Sequence, residues 1–301
     1  MQQNRLKKSR LLKIFATLLL VPAAFLCVSW GFWAHKHINW WAIQTLPEPL
    51  QSFYKLHGDS IRERAVAPDL RRRTDKSEGM RHYLDADHYG VSPFDSIPQS
   101  WDAAVKKYSA DTLYKYGIVP WQITNVLKRL TQAFKDGNTD SIVFLSADLG
   151  HYVADAHVPL HTTKNYDGQL TGQKGIHALW EARIVEMDSM SYNFKPTKAR
   201  YLKDPQAEAW QILRDSYTCL DSVLTLDQQV KKEIPQDQWY TNANVDGRDQ
   251  KTFSTQYAAA YNKKLNGMIA RRMQASVEDV GSYWYTAWVD AGKPDLAKKK
   301  K

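Results

Sequence analysis

Nine histidines and a scatter of acids carry the chemistry open to this chain. His151 and Asp155 stand four residues apart, and so do His177 and Glu181. On a helix such pairs share a face, so imidazole and carboxylate point the same way. One pair alone is commonly a surface ion pair. Two pairs between 151 and 181, with His161 between them beyond a Val158-Pro159 break, point to a metal site. Histidine nitrogen and carboxylate oxygen are ordinary zinc ligands. Upstream, Asp69 follows Pro68, His82 stands in Arg81-His-Tyr-Leu-Asp85, and His35 lies shortly after Trp30. If Trp30 were a new N-terminus, its α-amino group, with a pKa near ~8, could lose its proton to a metal. Its amine and carbonyl could then chelate zinc.

The elements that must position these residues read as helices. Residues 121–135 place Val126, Leu127, Leu130 and Phe134 on one face, and residues 140–157 do the same for Ile142, Leu145, Leu149, Tyr152 and Val153. Asp204-Pro205 has a capping side chain and a first-turn proline, which predicts a helix start. That helix carries Trp210, Leu213, Tyr217, Leu220 and Leu224. Residues 253–289 carry Tyr257, Tyr261, Leu265, Ile269, Met273, Trp284 and Trp288 at helical spacing. Loops are expected at 135–138, 165–175 and 242–247, where Asn, Asp and Gly gather. The expectation is an all-α, single multi-helical domain over residues 30–290.

The chain has 301 residues, a formal charge of +9 and 43% hydrophobic content, which excludes disorder throughout. The charge is not spread evenly. Residues 1–29 hold Arg5, Lys7, Lys8, Arg10 and Lys13 and no acid, and Lys298 to Lys301 supply the other four charges, so residues 30–297 are neutral. Basic residues before an apolar run from Ile14 to Val28, with Cys27 and Ser29 as small residues ahead of Trp30, predict a secretory signal cleaved after Ser29. The run falls short of the roughly 20 residues that span a bilayer, and Pro22 interrupts it. The expected location is therefore periplasmic or extracellular. Residues 291–301 form a basic tail, with at most transient contact with anionic membranes. Cleavage would leave Cys219 as the single cysteine and exclude an internal disulfide. The E-x-x-H pairs of di-iron bundles, the H-E-x-x-H of metalloproteases and the Walker phosphate loop are absent.

Taken together, Trp30-Gly-Phe-Trp-Ala-His35, Asp69, Arg81-His-Tyr-Leu-Asp85, Gly150-His-Tyr-Val-Ala-Asp-Ala-His-Val-Pro-Leu-His161 and Gly175-Ile-His-Ala-Leu-Trp-Glu181 resemble one superfamily. It holds the bacterial zinc-dependent phospholipases C and the single-strand-specific zinc nucleases of fungi and plants. The resemblance implies three zinc ions. Asp69, His82, His151 and Asp155 would hold the first, and His161, His177 and Glu181 the second. The Trp30 amine and carbonyl, His35 and Asp155 would hold the third, so Asp155 bridges two metals. Asp69 and Asp155 are the implied catalytic residues, Asp69 orienting the attacking water. His157 is not a ligand position and is expected to pack nearby or behind the ligands, and Asp85 is expected either behind His82 or in a helix salt bridge or plain surface role. Three divalent ions would leave the pocket positive after Asp69, Asp155 and Glu181 are counted, which suits an anionic phosphodiester. Zinc would supply a water activated for attack at phosphorus and stabilise the leaving oxygen.

The implied function is an exported zinc-dependent phosphodiester hydrolase, phospholipase C-like, acting on phospholipid. The alternative is a single-strand endonuclease or 3'-nucleotidase acting on single-stranded nucleic acid. A metal-binding or interaction protein without activity is the reading from another class. Glu181 at the last ligand position, the single cysteine and the neutral body favour phospholipase; Asp155-Ala-His-Val-Pro-Leu-His161 and Trp30-Gly lean toward nuclease. No stable protein partner is implied.

Overall fold

Gly150 and its small neighbours explain why so much of this chain packs around one helix. The structure is a computed structural model that describes residues 31–245 and 248–296. In chain order its helices are α1 (Phe32–Ala42), α2 (Leu50–Leu56), α3 (Gly58–Arg64), α4 (Ala67–Arg71), α5 (Pro93–Ser96), α6 (Trp101–Tyr108), α7 (Ala110–Tyr116), α8 (Val119–Asp136), α9 (Thr139–Ala156), α10 (Ile176–Ala178), α11 (Ile184–Met187), α12 (Pro205–Glu233), α13 (Thr255–Leu265) and α14 (Met268–Asp290). Helix α9 is buried almost all round from Ile142 to Ala156. Small residues at Ala147, Gly150, Ala154 and Ala156 let its neighbours come close. A Cβ on Gly150 would lie 2.0 Å from Asn39 Oδ1 of α1, and Asn39 Nδ2 donates to the Ala147 carbonyl at 3.2 Å. Helix α14 closes another side of α9, with Trp284 Nε1 donating to the Ser146 carbonyl at 3.0 Å. Gly281 permits α14 to cross the end of α1, where a Cβ would meet Thr45 Oγ1 at 1.9 Å.

The all-α expectation holds. The stripe on α8 is buried. Asp204 caps α12 by accepting from the Ala207 amide at 3.0 Å. On α12, however, the deepest positions include Ile212, Ser216, Val223, Asp227 and Val230, so only part of the anticipated stripe faces inward. The stretch 253–289 is two helices. Asn266 and Gly267 both adopt positive φ, 48° and 75°, and end α13 before α14 begins.

One expected loop is a hairpin instead. Strands β1 (Tyr240–Val245) and β2 (Arg248–Phe253) pair antiparallel, with Tyr240 opposite Phe253. Its residues are mostly polar, so the alternation that marks a half-buried strand is weak. The Asp-Gly between the strands is the hairpin signal the sequence did carry. The predicted export signal (1–29) and the end of the lysine tail lie outside the described residues. Among the described residues no helix is long and apolar enough to cross a membrane.

Candidate metal centre

The eight described candidate ligands meet at one place, although they come from five separate stretches of chain. Helix α1 brings His35 and α4 brings Asp69. His82 follows a 3-10 turn at Gly79–Arg81. Helix α9 supplies His151 and Asp155, and Pro159 ends it and opens the 3-10 turn Pro159–Thr162 that holds His161. His177 sits on α10, and Glu181 lies in a π-helical turn, Leu179–Arg183, that joins α10 to α11. The i,i+4 pair at 177 and 181 therefore sits on a widened turn of the kind often found at functional sites.

Asp155 is the hub. Its Oδ2 lies 2.9 Å from His82 Nδ1 and 3.2 Å from His151 Nε2, and its Oδ1 lies 3.5 Å from His35 Nε2 and 3.7 Å from His161 Nδ1. Glu181 is the second hub: Oε2 stands 2.6 Å from His177 Nε2 and 3.4 Å from His161 Nε2, and Oε1 stands 3.5 Å from His35 Nε2. Asp69 is looser. Its Oδ1 lies 3.8 Å from His82 Nδ1 and 4.0 Å from His151 Nε2, and its side chain is 20% exposed. Glu181 thus faces both the second and the third of the anticipated zinc positions. Trp30 lies outside the described residues. Its neighbour Gly31 is described, and a Cβ there would sit 3.4 Å from Glu181 Oε1.

Two features show that the donor set fits a cation. His151 Nε2 lies 3.0 Å from His82 Nδ1, and His161 Nε2 lies 2.9 Å from His177 Nε2. Ring nitrogens that face each other this closely need a proton or a metal between them. The far nitrogens are already committed: His151 Nδ1–H donates to the Ala65 carbonyl at 2.8 Å and His161 Nδ1–H to the His82 carbonyl at 2.9 Å. That sets the tautomer and aims each Nε2 lone pair into the cluster, the usual support for a metal-ligating imidazole. These residues form clusters that could hold metal: His82 with His151 and Asp155, His161 with His177 and Glu181, and His35 with either Asp155 and Glu181 or Asp69 and His151.

The imidazoles and carboxylates of the cluster hold one another charged. Burial opposes charge on His82, His151 and His177, but the adjacent carboxylates outweigh it and raise all three, His82 to about 9. Burial would raise Asp155 and Glu181, yet the facing imidazoles hold both well below the usual carboxylate range. So many opposed groups in one buried place mark a functional-site candidate.

Sequence reasoning missed what stands behind His82. Asp85 is not its partner. Glu78 is, fully buried, with Oε1 3.5 Å from His82 Nε2. Glu78 also receives Arg81 Nη1 at 2.6 Å, Arg71 Nε at 3.3 Å and the Tyr152 hydroxyl. Arg71 makes a forked pair with Asp148 on α9, at 2.8 and 3.1 Å. The only signal was Glu78 four residues before His82, and only a single 3-10 turn runs between them. Asp85 is instead pushed up to about 7 by burial and by Asp87. His157 is buried outside the cluster, 3.1 Å from Asp279. Trp180 is in the core, and Trp33, Trp40 and Trp41 pack against it half-buried. His37 stacks on Trp33 and His88 on Tyr116.

The rim mixes charge and apolar surface. Arg72 Nη1 stands 3.7 Å from Asp69 Oδ1. Tyr166, 52% exposed, meets His177 edge-on at 6.0 Å, and Leu170, 62% exposed, lies on the same loop. The loop is tied down beneath. Gln173 Nε2 donates to Asp227 Oδ2 at 2.7 Å, and Tyr257 donates to the other carboxylate oxygen at 2.6 Å. A groove of about 860 Å³ opens elsewhere, between residues 187–194 and helices α13 and α14, and none of the eight residues lines it.

No family model and no curated protein sequence matches this chain. Solved structures do share the fold. The alpha toxin from Clostridium absonum superposes with a TM-score of 0.52 at 12% identity, over 90% of this chain and 66% of that one. The Clostridium perfringens alpha-toxin isolated from avian strain SWCP gives 0.51 at 13% identity, over 89% and 65%. The chain thus spans about two thirds of the length of these structures, and the shared part is an all-α fold.

Proposed function

We propose that the protein is a zinc-dependent phosphodiester hydrolase, phospholipase C-like, with phospholipid as substrate. The observation that carries the reading is the convergence of eight side chains whose lone pairs face one another at 2.6–4.0 Å. The fold shared with the alpha-toxins and the ordered ligand motifs support it independently. The donor set of five imidazoles and three carboxylates fits zinc. When bound, zinc would supply an activated water and a Lewis acid toward the phosphoryl oxygens. The chain's own residues do the rest. Ala65, the His82 carbonyl and Glu78 orient His151, His161 and His82. Asp69, the loosest and most exposed acid at the mouth, is placed to accept a proton from the attacking water. Arg72 beside it offers a cation to the incoming diester. The Trp30 amine is the proposed ninth ligand, freed by signal cleavage.

Exposed Leu70, Tyr166 and Leu170 lie on the segments that carry or precede ligands, and they suit acyl chains at a lipid surface. The edge-on Tyr166 also supports a second reading, a single-strand nuclease, because an exposed ring can stack on a base. A paired assay separates the two. The mature protein is offered phosphatidylcholine vesicles and single-stranded DNA, each with and without a chelator. Chelator-sensitive release of phosphocholine alone is expected. Cleavage of DNA alone would transfer the assignment to the nuclease, and no zinc uptake with no cleavage would remove the enzyme reading.

A further inference from the structure

Arg71 ends α4, two places after Asp69. It is not among the expected ligands, yet its guanidinium binds both of the other segments that carry the first expected set. One edge meets Glu78, four residues before His82: Nε lies 3.3 Å from Oε2 and Nη2 lies 3.5 Å from Oε1. The other edge forks onto Asp148, three residues before His151 on α9, with Nη1 at 3.1 Å and Nη2 at 2.8 Å. Nη2 also donates to the Tyr152 hydroxyl at 3.2 Å, and that hydroxyl donates to Glu78. Glu78, Asp148 and Tyr152 are all buried.

We propose that Arg71 is the positioning residue that assembles the first metal position, by locking α4, the turn before His82 and α9 into one geometry. The proposal rests on the metal reading of Asp69, His82, His151 and Asp155.

Those four side chains sit on three segments. The backbone fixes spacing within a segment, and contacts across the core must fix it between segments. His151 Nδ1–H on the Ala65 carbonyl ties α9 to the residue just ahead of α4's own start, but that bond reaches neither Glu78 nor His82. Arg71 belongs to one segment and binds both of the others. Only a planar guanidinium offers paired donors along two edges at fixed angles; a lysine ammonium is a point charge and cannot hold two carboxylates in register. The electrostatics demand the same residue. Arg81 also reaches Glu78, at 2.6 Å, but among the described residues Arg71 is the cation paired with Asp148. Without it a buried carboxylate on α9 loses its counter-charge.

His82 shows what the lock is for. His151 and His161 are aimed by backbone carbonyls on Nδ1. His82 is turned the other way: Nδ1 faces Asp155 at 2.9 Å, and Nε2 faces Glu78 Oε1 at 3.5 Å. A side-chain carboxylate orients an imidazole only if it is itself held, and Glu78 is held by Arg71, Arg81 and Tyr152. The hydrogen bonds of Arg71 include none to His161, His177 or Glu181, so the second position should stand without it.

The test loads wild type and variants with cadmium, reads the sites by cadmium-113 NMR, and measures zinc affinity by chelator competition. Wild-type protein is expected to give a separate resonance for each metal. Arg71→Gln and Asp148→Asn should each weaken one zinc by roughly 10–100-fold and shift or remove one resonance, leaving that of the His161, His177 and Glu181 position in place. The double variant should lose little more than the worse single one, because both break the same fork. Arg71→Lys, which keeps the charge, should recover thermal stability but not the metal affinity. Should Arg71→Gln fail to fold, Asp148→Asn, which keeps the side chain's shape and breaks the fork, decides. Variants that melt earlier yet bind every zinc with wild-type affinity, or full recovery of affinity with lysine, would overturn the proposal and leave Arg71 a stabilising residue only. Wild-type protein that takes up no metal would defeat the metal reading itself and the proposal with it, a failure distinct from one confined to the variants.

Discussion

Asp155 shows how one side chain comes to control several others. It is buried on a helix that is itself buried, and its two oxygens face four imidazoles, two of them, His35 and His82, from distant segments. Removing its charge leaves those rings without a common counter-charge. Asp155→Asn is therefore expected to abolish measurable hydrolysis and to lower zinc content by more than one ion per chain. His157→Ala should keep Asp155 in place and lose only about 10–100-fold, as a residue acting through another does. Metal analysis beside initial rates checks both, and equal losses would mean that Asp155 does not bridge. The spacing of His151 and Asp155 already placed them on one face. That Asp155 also reaches His35 and His82 was implied by the resemblance in motif order and not by spacing, because those contacts cross the core between distant segments.

At the scale of elements, the site depends on how closely α1 can approach α9. The ring centroids of His35 and His151 lie 4.0 Å apart, and the approach is set by Gly150 against Asn39. A methyl group at 150 would overlap the Asn39 amide. Gly150→Ala should push α1 outward, cost about 1–3 kcal/mol by overpacking, and separate His35 from Asp155. Thermal unfolding would report the first effect and zinc stoichiometry the second. A variant that is destabilised but still binds its full complement of zinc would show that α1 is not held through this contact. The sequence displays the glycine, but not that it meets an asparagine from more than a hundred residues earlier. The π turn at Leu179–Arg183 was equally illegible, since residues 177 and 181 have the same spacing whether the turn is α or π.

For the molecule as a whole, the cluster couples stability to both pH and metal. In chelated protein His82 has a pKa of about 9 against ~6.5 unfolded. A raised pKa means its contribution is complete below pH 6.5 and is lost as pH rises through 9. His151 and His177 shift the same way. Asp155 and Glu181 are lowered, so theirs is present above the usual carboxylate range and lost in acid. Chelated protein should therefore lose thermal stability between pH 6.5 and 9. Zinc competes with those same protons, so the stabilisation it brings should widen over that window, by about 2.7 kcal/mol at a hundredfold excess over its Kd. Melting curves with and without chelator would test this, and curves that run parallel would argue against metal at the cluster.

What the sequence determined by itself was local. Helical periodicity, the Asp204-Pro205 start and the His-Asp and His-Glu spacings depend on neighbours three or four residues away, and a chain carries those openly. Likeness in motif order extended this to a ligand set. The tertiary structure alone decided what depends on distant contacts. It placed Glu78, not Asp85, behind His82, set Glu181 between His35 on one side and His161 and His177 on the other, and paired polar residues 240–253 as a hairpin. Each of these is a through-space meeting of side chains, governed by packing and by the need to satisfy buried polar groups. No spacing along the chain records it.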